Sequence, residues 1–339
     1  MRERKGQDMS DRYTPPYSIT NRMVELIAEI AESVGRISGY KTMDSKPYLR
    51  RNNRIRSIHS SLAIEANSLT LDDVRSVIAG KNVIGPQREI QEVKNAYKAY
   101  DMLGKFDPYS IEDLQTLHGI MTNLTLEESG TFRTHDEGVF DGDVCIFMAP
   151  PPHLVPIQMK GLFQWLSEAK GTVHPLIVSS VFHYEFVFIH PFADGNGRMA
   201  RLWQTALLQE WNSIFQFVPM ESRIYQYQEE YYKSIAESNK NGNSDVFIEF
   251  ILKMISETLI EVTEQEKNGA TIYSRQVQEL LRVMEYHMPY TASQLMSALG
   301  LKSRSSFYRN YLEPALRQKL ITMEITDKPK SRNQRYLKM

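Results

Sequence analysis

The chain carries its most informative stretch at residues 190–201, which read His190-Pro191-Phe192-Ala193-Asp194-Gly195-Asn196-Gly197-Arg198-Met199-Ala200-Arg201. Its Gly-Asn-Gly run is typical of a tight turn whose backbone N–H groups converge. From Met199 to Trp211 apolar residues recur at helical spacing, which predicts a helix directly after the turn. The stretch therefore predicts a glycine turn at a helix N-terminus.

The residue types of this stretch point to phosphate chemistry. Unpaired N–H groups and the helix dipole both favour an anion at a helix N-terminus. Arg198 and Arg201 are three residues apart, so both can reach phosphates bound at the first turn. Asp194 is a natural Mg²⁺ ligand, and His190 can take a proton near neutral pH. Together these residues predict a site that handles a nucleotide polyphosphate.

Nine positions of the stretch match the signature of the Fic family (filamentation induced by cAMP), His-Pro-Phe-x-Asp/Glu-Gly-Asn-Gly-Arg-x-x-Arg, without a departure. A single Asp-Gly-Asn-Gly run would indicate only a turn, but nine matched positions are specific. By this motif the chain resembles a protein adenylyltransferase, which transfers AMP from ATP to a hydroxyl side chain of a protein. The resemblance implies ATP and Mg²⁺ as cofactors and a Ser, Thr or Tyr hydroxyl as the target.

The resemblance also assigns roles to individual residues. It implies that His190 is the general base that deprotonates the target hydroxyl and that Asp194 is the Mg²⁺ ligand. Arg198 corresponds to a phosphate-binding arginine, and Arg201 to the one that holds the γ-phosphate. The nest for the α and β phosphates corresponds to the backbone of Gly195, Asn196 and Gly197. Such a site acts by positioning and charge neutralisation.

A second motif lies upstream, where residues 60–71 read SSLAIEANSLTL. It resembles the inhibitory helix of Fic proteins, with the pattern Ser/Thr-x-x-x-Glu-Gly/Asn. Ser61 and Glu65 are four residues apart and share a helix face. In the family this Glu pairs with the second motif arginine, here Arg201, and blocks the γ-phosphate. Ala66 departs from the pattern, and Asn67 could instead end the helix. The alternative interpretation of Glu65 is a solvated residue on an amphipathic helix.

Two further sets of residues match the family less closely. Residues 130–156 are rich in Gly, Asp and Pro and resemble the family's flap, a β-hairpin that pairs with the target segment, with Gly138, Val139 and Phe140 as candidate flap residues. A plain surface hairpin is the alternative. Tyr232 and Asn239 match the spacing of residues that contact adenosine in relatives, although tyrosines on a helix more often belong to a core or its rim.

Composition and charge exclude several classes of protein. The 339 residues are 42% hydrophobic and 24% charged, with a formal net charge of −1 and a single cysteine. Such a chain is globular, has no internal disulfide and has no whole-chain attraction to nucleic acid or membrane. It contains no apolar run long enough to cross a membrane, and its first residues do not resemble a signal peptide. We therefore expect a cytoplasmic protein.

The predicted fold is mainly α: a Fic-fold helical bundle with a β-hairpin flap, followed by a small winged-helix domain. Its predicted parts are a disordered tail over 1–16, an N-terminal helical region with the inhibitory helix over 17–109, the Fic catalytic core over 110–265, and a winged-helix-like domain over 270–339. The last region is predicted to contain three helices and a pair of strands, with Gly300 in a turn between the second and third helices.

The C-terminal region differs from the rest of the chain in charge. From Thr291 to the end there are ten Lys/Arg residues against three Asp/Glu. The basic residues predicted to lie on the third helix and wing are Arg304, Arg309, Lys328, Lys330, Arg332 and Arg335. Such a surface suits DNA phosphates, but small winged helices also make protein contacts or dimers. DNA binding, a protein contact and a homodimer therefore stay open.

Two classes of function are compatible with the sequence. The first is a Mg²⁺/ATP-dependent protein adenylyltransferase that modifies itself or another protein and is restrained by Glu65. The second is a DNA-binding regulator or antitoxin-like protein whose Fic core only binds nucleotide. His190 favours the first, because a binding module needs no base. Within the enzyme class, Glu65 could instead position a water for removing AMP from modified proteins.

Overall fold

The computed structural model describes residues 13–39, 47–141, 144–272, 274–284, 288–318, 320–325, 328–329 and 331–338. The chain forms two compact units, one of residues up to 35 together with 53–260 and one of residues 36–52 together with 261–339. The mainly α prediction is confirmed.

Most of the first unit is helical. Its elements are α1 (Asn21–Gly39), α2 (Pro47–Ile64), α3 (Leu71–Ile78), α4 (Gln87–Met102), α5 (Ile111–Met121), the strands β1 (Gly138–Asp141) and β2 (Val144–Met148), α6 (Val155–Ala169), α7 (Pro175–Ile189), α8 (Asn196–Trp211), α9 (Met220–Gln226), α10 (Gln228–Asn241) and α11 (Asp245–Ile272), of which α1, α2 and α11 extend across the division between the units.

Helix α7 forms the centre of this unit. It is apolar on nearly all sides, and Val181, Phe182 and Phe186 are fully buried. A helix that is apolar around its whole circumference is stable only when other elements surround it. Here α6 and α8 pack along it. Because α7 ends at Ile189 and α8 begins at Asn196, the core fixes both ends of the loop that carries the His-Pro-Phe motif.

Helix α8 begins earlier than the sequence predicted. It includes Asn196, Gly197 and Arg198, whereas the apolar pattern placed its start at Met199. Gly195 precedes it with a φ of 84°, a left-handed conformation that glycine adopts without a steric penalty. The glycine turn and the helix N-terminus are therefore one element.

Strands β1 and β2 form an antiparallel hairpin between α5 and α6. Gly138 pairs with Met148, and the register shifts between Val139 and Phe140. The predicted hairpin over this stretch is confirmed. The side chains of residues 139–146 lie outside the described part of the structure.

The second unit contains α12 (Arg275–Val283), β3 (Tyr290–Thr291), α13 (Ala292–Ala298), α14 (Arg304–Phe307), a π-helical segment (Tyr308–Leu312), α15 (Glu313–Arg317), β4 (Ile321–Met323) and β5 (Arg335–Lys338). Its three strands are antiparallel, in the order β3-β5-β4. Leu280, Leu295 and Phe307 are fully buried in a core of its own. The three predicted helical regions and both predicted strands are present, and Gly300 has a φ of 66° in the turn after α13.

The predicted domain limits need correction at one place. Residues 13–16 were predicted to be in the disordered tail, but Pro15 is buried and the Tyr13 hydroxyl donates a hydrogen bond to the Glu185 carboxylate; residues 1–12 lie outside the described part. Local composition does not reveal this packing, because the two partners are 172 positions apart in the chain. The limit between 265 and 270 stays a prediction, and the division between the two units falls within the same helix, after Ile260.

Residues 17–35 and 53–109 belong to the same compact unit as residues 110–260 of the predicted catalytic core, whereas residues 36–52 belong to the other unit. Helices α2 and α4 are tied to the core by side-chain hydrogen bonds such as Tyr100 to Glu221, which sequence spacing does not reveal. In the described residues, no helix is both long enough and apolar enough to span a membrane.

Candidate active site

His190 lies at the end of α7 in a left-handed conformation, with a φ of 52°. Outside glycine this conformation is uncommon and needs support from its surroundings. Arg133 supplies it: its Nε donates to the His190 carbonyl at 2.7 Å, and its Nη atoms donate to the carbonyls of His135 and Pro150 at 2.8 and 2.5 Å. Because Arg133 is 2% exposed, this buried guanidinium joins the His190 backbone to both ends of the hairpin.

The imidazole of His190 is oriented for accepting a proton. Its Nδ1 lies 3.4 Å from the Val187 carbonyl oxygen. Because a carbonyl only accepts, this contact favours the tautomer with the proton on Nδ1 and leaves Nε2 as the acceptor. Burial lowers the pKa of His190 below its ordinary value, against the opposing effect of the Val187 carbonyl. The ring is therefore neutral at physiological pH, with Nε2 free of a proton.

Two side chains fix the loop after His190. The buried Asn196 donates to the Phe192 carbonyl at 2.7 Å and accepts from the Phe192 N–H at 2.9 Å. The His118 ring from α5 stacks on Phe192, with centroids 3.6 Å apart and planes within 3°. The Asn196 amide thus holds the loop closed, while its backbone N–H belongs to the first turn of α8.

His118 links the loop to the start of the hairpin region. Its Nδ1 accepts from the Gly130 N–H at 2.9 Å, so its Nε2 carries the proton and donates to the Asp194 carbonyl at 2.9 Å. Desolvation lowers the pKa of His118 to about 4, although the hydrogen bond to Asp194 partly opposes this. A neutral His118 is what this arrangement requires, because Nδ1 must accept.

The Asp194 carboxylate lies beside the N-terminus of α8. Its Oδ1 accepts from Arg198 Nη2 at 2.8 Å and from the Gly195 N–H at 2.5 Å, and its Oδ2 accepts from Arg88 Nη2 at 3.1 Å. Burial alone would raise the pKa of Asp194, but the charges of Arg198 and Arg88 and the hydrogen bonds outweigh it and lower the pKa. Asp194 is therefore ionised, as a metal ligand must be.

Arg201 is fully buried and points from α8 to α2. Its Nη2 donates to Glu65 Oε1 at 2.7 Å and to the Ser61 carbonyl at 2.9 Å, and its Nε donates to Ser61 Oγ at 3.1 Å. Burial alone would lower the pKa of Arg201, but the charge of Glu65 outweighs it and raises the pKa above its ordinary value. The family pattern predicted the pairing of Glu65 with Arg201 and a shared helix face for Ser61 and Glu65. The structure brings the three residues together and adds the contacts of Ser61 with Arg201.

The Glu65 carboxylate lies against Gly197 in the first turn of α8. A Cβ atom on Gly197 would collide with Glu65 Oε1 and would lie 3.1 Å from Arg201 Nη1. Glycine at 197 is therefore what lets an oxyanion approach the turn. Among the described residues Arg201 Nη1 has no hydrogen-bond acceptor although it is buried, so a donor remains for a second oxygen beside Glu65.

The turn that carries Glu65 ends α2 as a Schellman motif. The Ala66 N–H donates to the Ala63 carbonyl at 3.0 Å, and the Asn67 N–H donates to the Leu62 carbonyl at 3.1 Å. Ala66 takes the left-handed position, with a φ of 64°. The suggestion that Asn67 ends the helix is thus corrected: Asn67 instead donates to Glu92 Oε2 at 2.9 Å and holds the turn against α4.

A buried carboxylate fixes the middle of α2. Glu221 on α9 is 1% exposed and accepts from the Ser57 hydroxyl at 2.6 Å and from the Tyr100 hydroxyl at 2.8 Å. Burial raises the pKa of Glu221, and the hydrogen bonds oppose this. Because Ser57 lies one turn before Ser61, this contact sets the position from which α2 reaches Arg201.

The candidate adenosine and flap residues lie at the edges of the site. Tyr232 on α10 is 48% exposed, and its hydroxyl donates to the Ile64 carbonyl at 3.3 Å, next to Glu65. Asn239 lies seven residues further along α10, and its Oδ1 accepts from the Tyr184 hydroxyl at 2.8 Å. Gly138, Val139 and Phe140 form β1. His183 packs behind the site, bonded to Gln204 and Tyr231.

Four residues that shape the site were not identified as such from the sequence: Arg88, His118, Arg133 and Glu221. Each acts through a partner more than 50 residues away in the chain, as with Arg133 and His190. Local spacing carries no signal for such pairs. The nearest signal was for Arg133, which follows Gly130-Thr131-Phe132 in the stretch that resembles the flap.

The residues present fit a Mg²⁺ ion held jointly with a nucleotide. Within the described residues no cluster of three or more His, Cys, Asp or Glu side chains could hold a metal alone. Mg²⁺ is commonly bound through one or two carboxylates together with substrate phosphates. Asp194 supplies one carboxylate beside the anion-binding turn, and Arg201 Nη1 supplies a buried donor for a phosphate oxygen.

Two family models match the sequence. Residues 108–208 match the model of the Fic/DOC family. Residues 275–337 match the model of the C-terminal domain of Fic-like proteins, where Fic stands for filamentation induced by cAMP. The chain is also similar to a Fic family protein from Desulfovibrio desulfuricans G20 of known crystal structure. The two are 41% identical, the match covers 96% of this chain and 98% of that one, and the TM-score is 0.73.

Relatives named as protein adenylyltransferases are more distant. Protein adenylyltransferase Fic from Nematostella vectensis is 29% identical over 212 residues, which are 60% of this chain and 47% of that protein. Protein adenylyltransferase fic-1 from Caenorhabditis elegans is 30% identical over 206 residues, 58% of this chain and 38% of that protein. The matched part therefore spans less than half the length of these relatives. A structure of residues 134–508 of Fic-1 from C. elegans shares the fold, with 23% identity and a TM-score of 0.62.

Proposed function

Because this chain belongs to the Fic family, we propose that it transfers AMP from ATP to a hydroxyl side chain of a protein and that Glu65 restrains this activity. The observation that carries the proposal is the ion pair between Glu65 and Arg201 at the anion-binding turn, with an Nη2–Oε1 distance of 2.7 Å. A carboxylate held at a helix N-terminus beside a buried arginine occupies a position that suits a phosphate.

In the proposed reaction the target hydroxyl oxygen attacks the α-phosphorus of ATP, and pyrophosphate leaves. His190 Nε2 takes the hydroxyl proton, because Nδ1 faces the Val187 carbonyl. The phosphates are held by the Arg198 guanidinium and by the backbone N–H groups of Gly195, Asn196 and Gly197. Arg201 holds the γ-phosphate once the Glu65 carboxylate has moved away from it. Mg²⁺ bound to Asp194 would neutralise charge on the phosphate oxygens.

The contacts around the site support the remaining assignments. Tyr232 and Asn239 are proposed to contact the adenosine, since Tyr232 is half exposed beside the Glu65 turn. The backbone of Gly138, Val139 and Phe140 is proposed to pair with the target segment, because within the described residues β2 is the sole strand partner of β1. The target can be another protein or the chain itself.

The test is incubation of the protein with ATP and Mg²⁺, followed by intact mass measurement of the chain and of a host lysate. We expect mass increases of one AMP, stronger for Glu65→Gly, and none for His190→Ala, which should still bind ATP because its phosphate contacts are intact. Undiminished labelling by His190→Ala would contradict the assignment of the base. Loss of AMP from premodified protein, slowed by Glu65→Gly, would favour de-AMPylation.

We further propose that the second unit is a winged-helix domain that binds duplex DNA. Arg304 and Arg309 are exposed on the third helical region, and Lys328, Arg332 and Arg335 are exposed between and on the last two strands; Lys330 lies outside the described residues. These exposed positive charges suit the phosphates on the two sides of a groove of duplex DNA.

Titration of a labelled duplex at several salt concentrations tests this proposal. Affinity should fall steeply with salt, and Arg304→Glu with Arg309→Glu should weaken binding, whereas the control Lys253→Glu on α11 should not. Absence of any complex at low salt would favour a protein contact or a homodimer instead.

A further inference from the structure

The two oxygens of Asp194 have different partners. Oδ1 is held from its own loop, by Arg198 Nη2 at 2.8 Å and the Gly195 N–H at 2.5 Å. Oδ2 faces outward and is contacted by Arg88 Nη2, at 3.1 Å, from the first turn of α4. A cation that binds Asp194 through Oδ2 therefore competes with the Arg88 guanidinium for that oxygen.

Arg88 belongs to a charge cluster that lines a cavity of about 300 Å³. Its Nε lies 3.5 Å from Glu92 Oε1, and the same oxygen lies 3.7 Å from Arg198 Nη1. Glu65 lines the cavity as well. Glu89 completes the lining, so four carboxylates face Arg88 and Arg198 in this cavity. The excess of negative charge suits a divalent cation, and Arg88 is the positive charge that contacts Asp194 Oδ2 in its place.

Of the two arginines that contact Asp194, Arg88 is the one whose side chain can move away from the carboxylate. Its side chain is 62% exposed, whereas that of Arg198 is 4% exposed. Exposed ion pairs on long side chains are weak and are exchanged readily, while a buried guanidinium cannot leave its partner without a large cost. An Arg88 side chain released from Asp194 can still remain near Glu92.

We propose that Arg88 is a counter-ion of Asp194 that competes with Mg²⁺ for Oδ2 and is displaced from it when Mg²⁺ binds with ATP. Arg88 therefore lowers the apparent affinity for Mg²⁺·ATP and sets how strongly Mg²⁺ promotes nucleotide binding. This inference rests on the proposed function, since it presumes that Asp194 holds the metal. Arg88 lies outside the residues matched by the Fic/DOC family model, 108–208.

The test measures ATP binding by calorimetry, with excess chelator and with saturating Mg²⁺, in a His190→Ala, Glu65→Gly background in which no transfer occurs. The measured quantity is the dissociation constant of ATP in chelator divided by its dissociation constant in Mg²⁺. We expect Arg88→Ala to increase this ratio about two- to fivefold, because ATP should bind more tightly in the presence of Mg²⁺. This is the range for loss of an exposed ion pair. The matched control is Arg22→Ala, which removes a comparable exposed pair with Glu25 on α1.

The other outcomes are distinct. An unchanged ratio would overturn the inference, and so would weaker binding of ATP under both conditions, because Arg88 would then be a direct phosphate ligand. If the background protein with Arg88 intact bound no ATP, or bound it equally with and without Mg²⁺, the proposed function itself would fail. A folded-state check by thermal melting of Arg88→Ala accompanies the titration.

Discussion

At the scale of single residues, the site depends on groups whose partners are distant in sequence. Arg133 is the strongest case, because it satisfies the carbonyls of residues on α7 and on both sides of the hairpin while being almost fully buried. A buried acceptor left without a donor costs about 1–3 kcal/mol. The left-handed His190 depends directly on this support.

We therefore expect Arg133→Met to lower the free energy of unfolding by about 3 kcal/mol and to reduce AMP transfer. Urea denaturation followed by tryptophan fluorescence measures the first effect. The control is Arg22→Met, an exposed arginine on α1 that should change stability by less than about 0.5 kcal/mol. Equal stabilities of the two variants would show that the carbonyl contacts of Arg133 contribute nothing.

Two buried histidines predict a loss of stability in acid. Burial lowers the pKa of His118 to about 4 and that of His183 to about 3, whereas both ionise near their ordinary value in the unfolded chain. The unfolded chain therefore binds more protons as the pH falls below about 6.5, and the stability decreases from there to about pH 4. We expect urea midpoints to fall across this window by an amount worth roughly 2 kcal/mol or more, and a flat profile from pH 6.5 to 4 would contradict both assignments.

At the scale of elements, the end of α2 decides how firmly Glu65 is held. Ala66 takes the left-handed position of the Schellman motif, which costs a residue with a Cβ atom roughly 1 kcal/mol relative to glycine. This strain lies one residue after Glu65. It favours states in which the turn opens and the Arg201 pair breaks.

Ala66→Gly should therefore stabilise the protein by about 0.5–1 kcal/mol and lower basal AMP transfer by about two- to fivefold. In a Glu65→Gly background the same substitution should leave the rate of transfer unchanged, because there is no carboxylate left to hold. Melting curves and initial rates on the four proteins test this. A rate decrease of equal size in both backgrounds would mean that Ala66 acts on the site by another route.

Helix α12 gives a prediction for the second unit. Lys338 donates to the Leu281 carbonyl at 2.6 Å near the end of α12, and burial lowers the pKa of Lys338 to about 7. Since the unfolded side chain keeps its proton up to about pH 10.4, the stability of this unit should rise between pH 7 and 10. Lys338→Met should flatten this rise in denaturation curves. A profile unchanged by Lys338→Met would contradict the prediction.

At the scale of the whole molecule, the sequence predicted what local patterns encode. The turn and helix around Gly195, the hairpin and the elements of the C-terminal unit all follow from periodicity and turn residues, and Ser61 and Glu65 follow from the family pattern. Contacts such as Glu221 to Ser57 and Tyr100 could not be predicted, because they join helices whose packing has no local signature. The same reason explains why residues 17–109 were assigned to a separate region, although residues 17–35 and 53–109 share one compact unit with residues 110–260 of the core.

The central claim is that Glu65 occupies the anion position at the α8 N-terminus and withholds Arg201 from ATP. A charge-assisted hydrogen bond contributes about 1.5–3 kcal/mol, so its removal should change the rate by roughly ten- to a hundredfold. The direct measurement is the initial rate of AMP transfer by wild type and Glu65→Gly across ATP concentrations, with Arg201→Ala in both backgrounds. We expect a rate at least about tenfold higher for Glu65→Gly and little transfer whenever Arg201 is replaced. Equal rates for wild type and Glu65→Gly at every ATP concentration would contradict it.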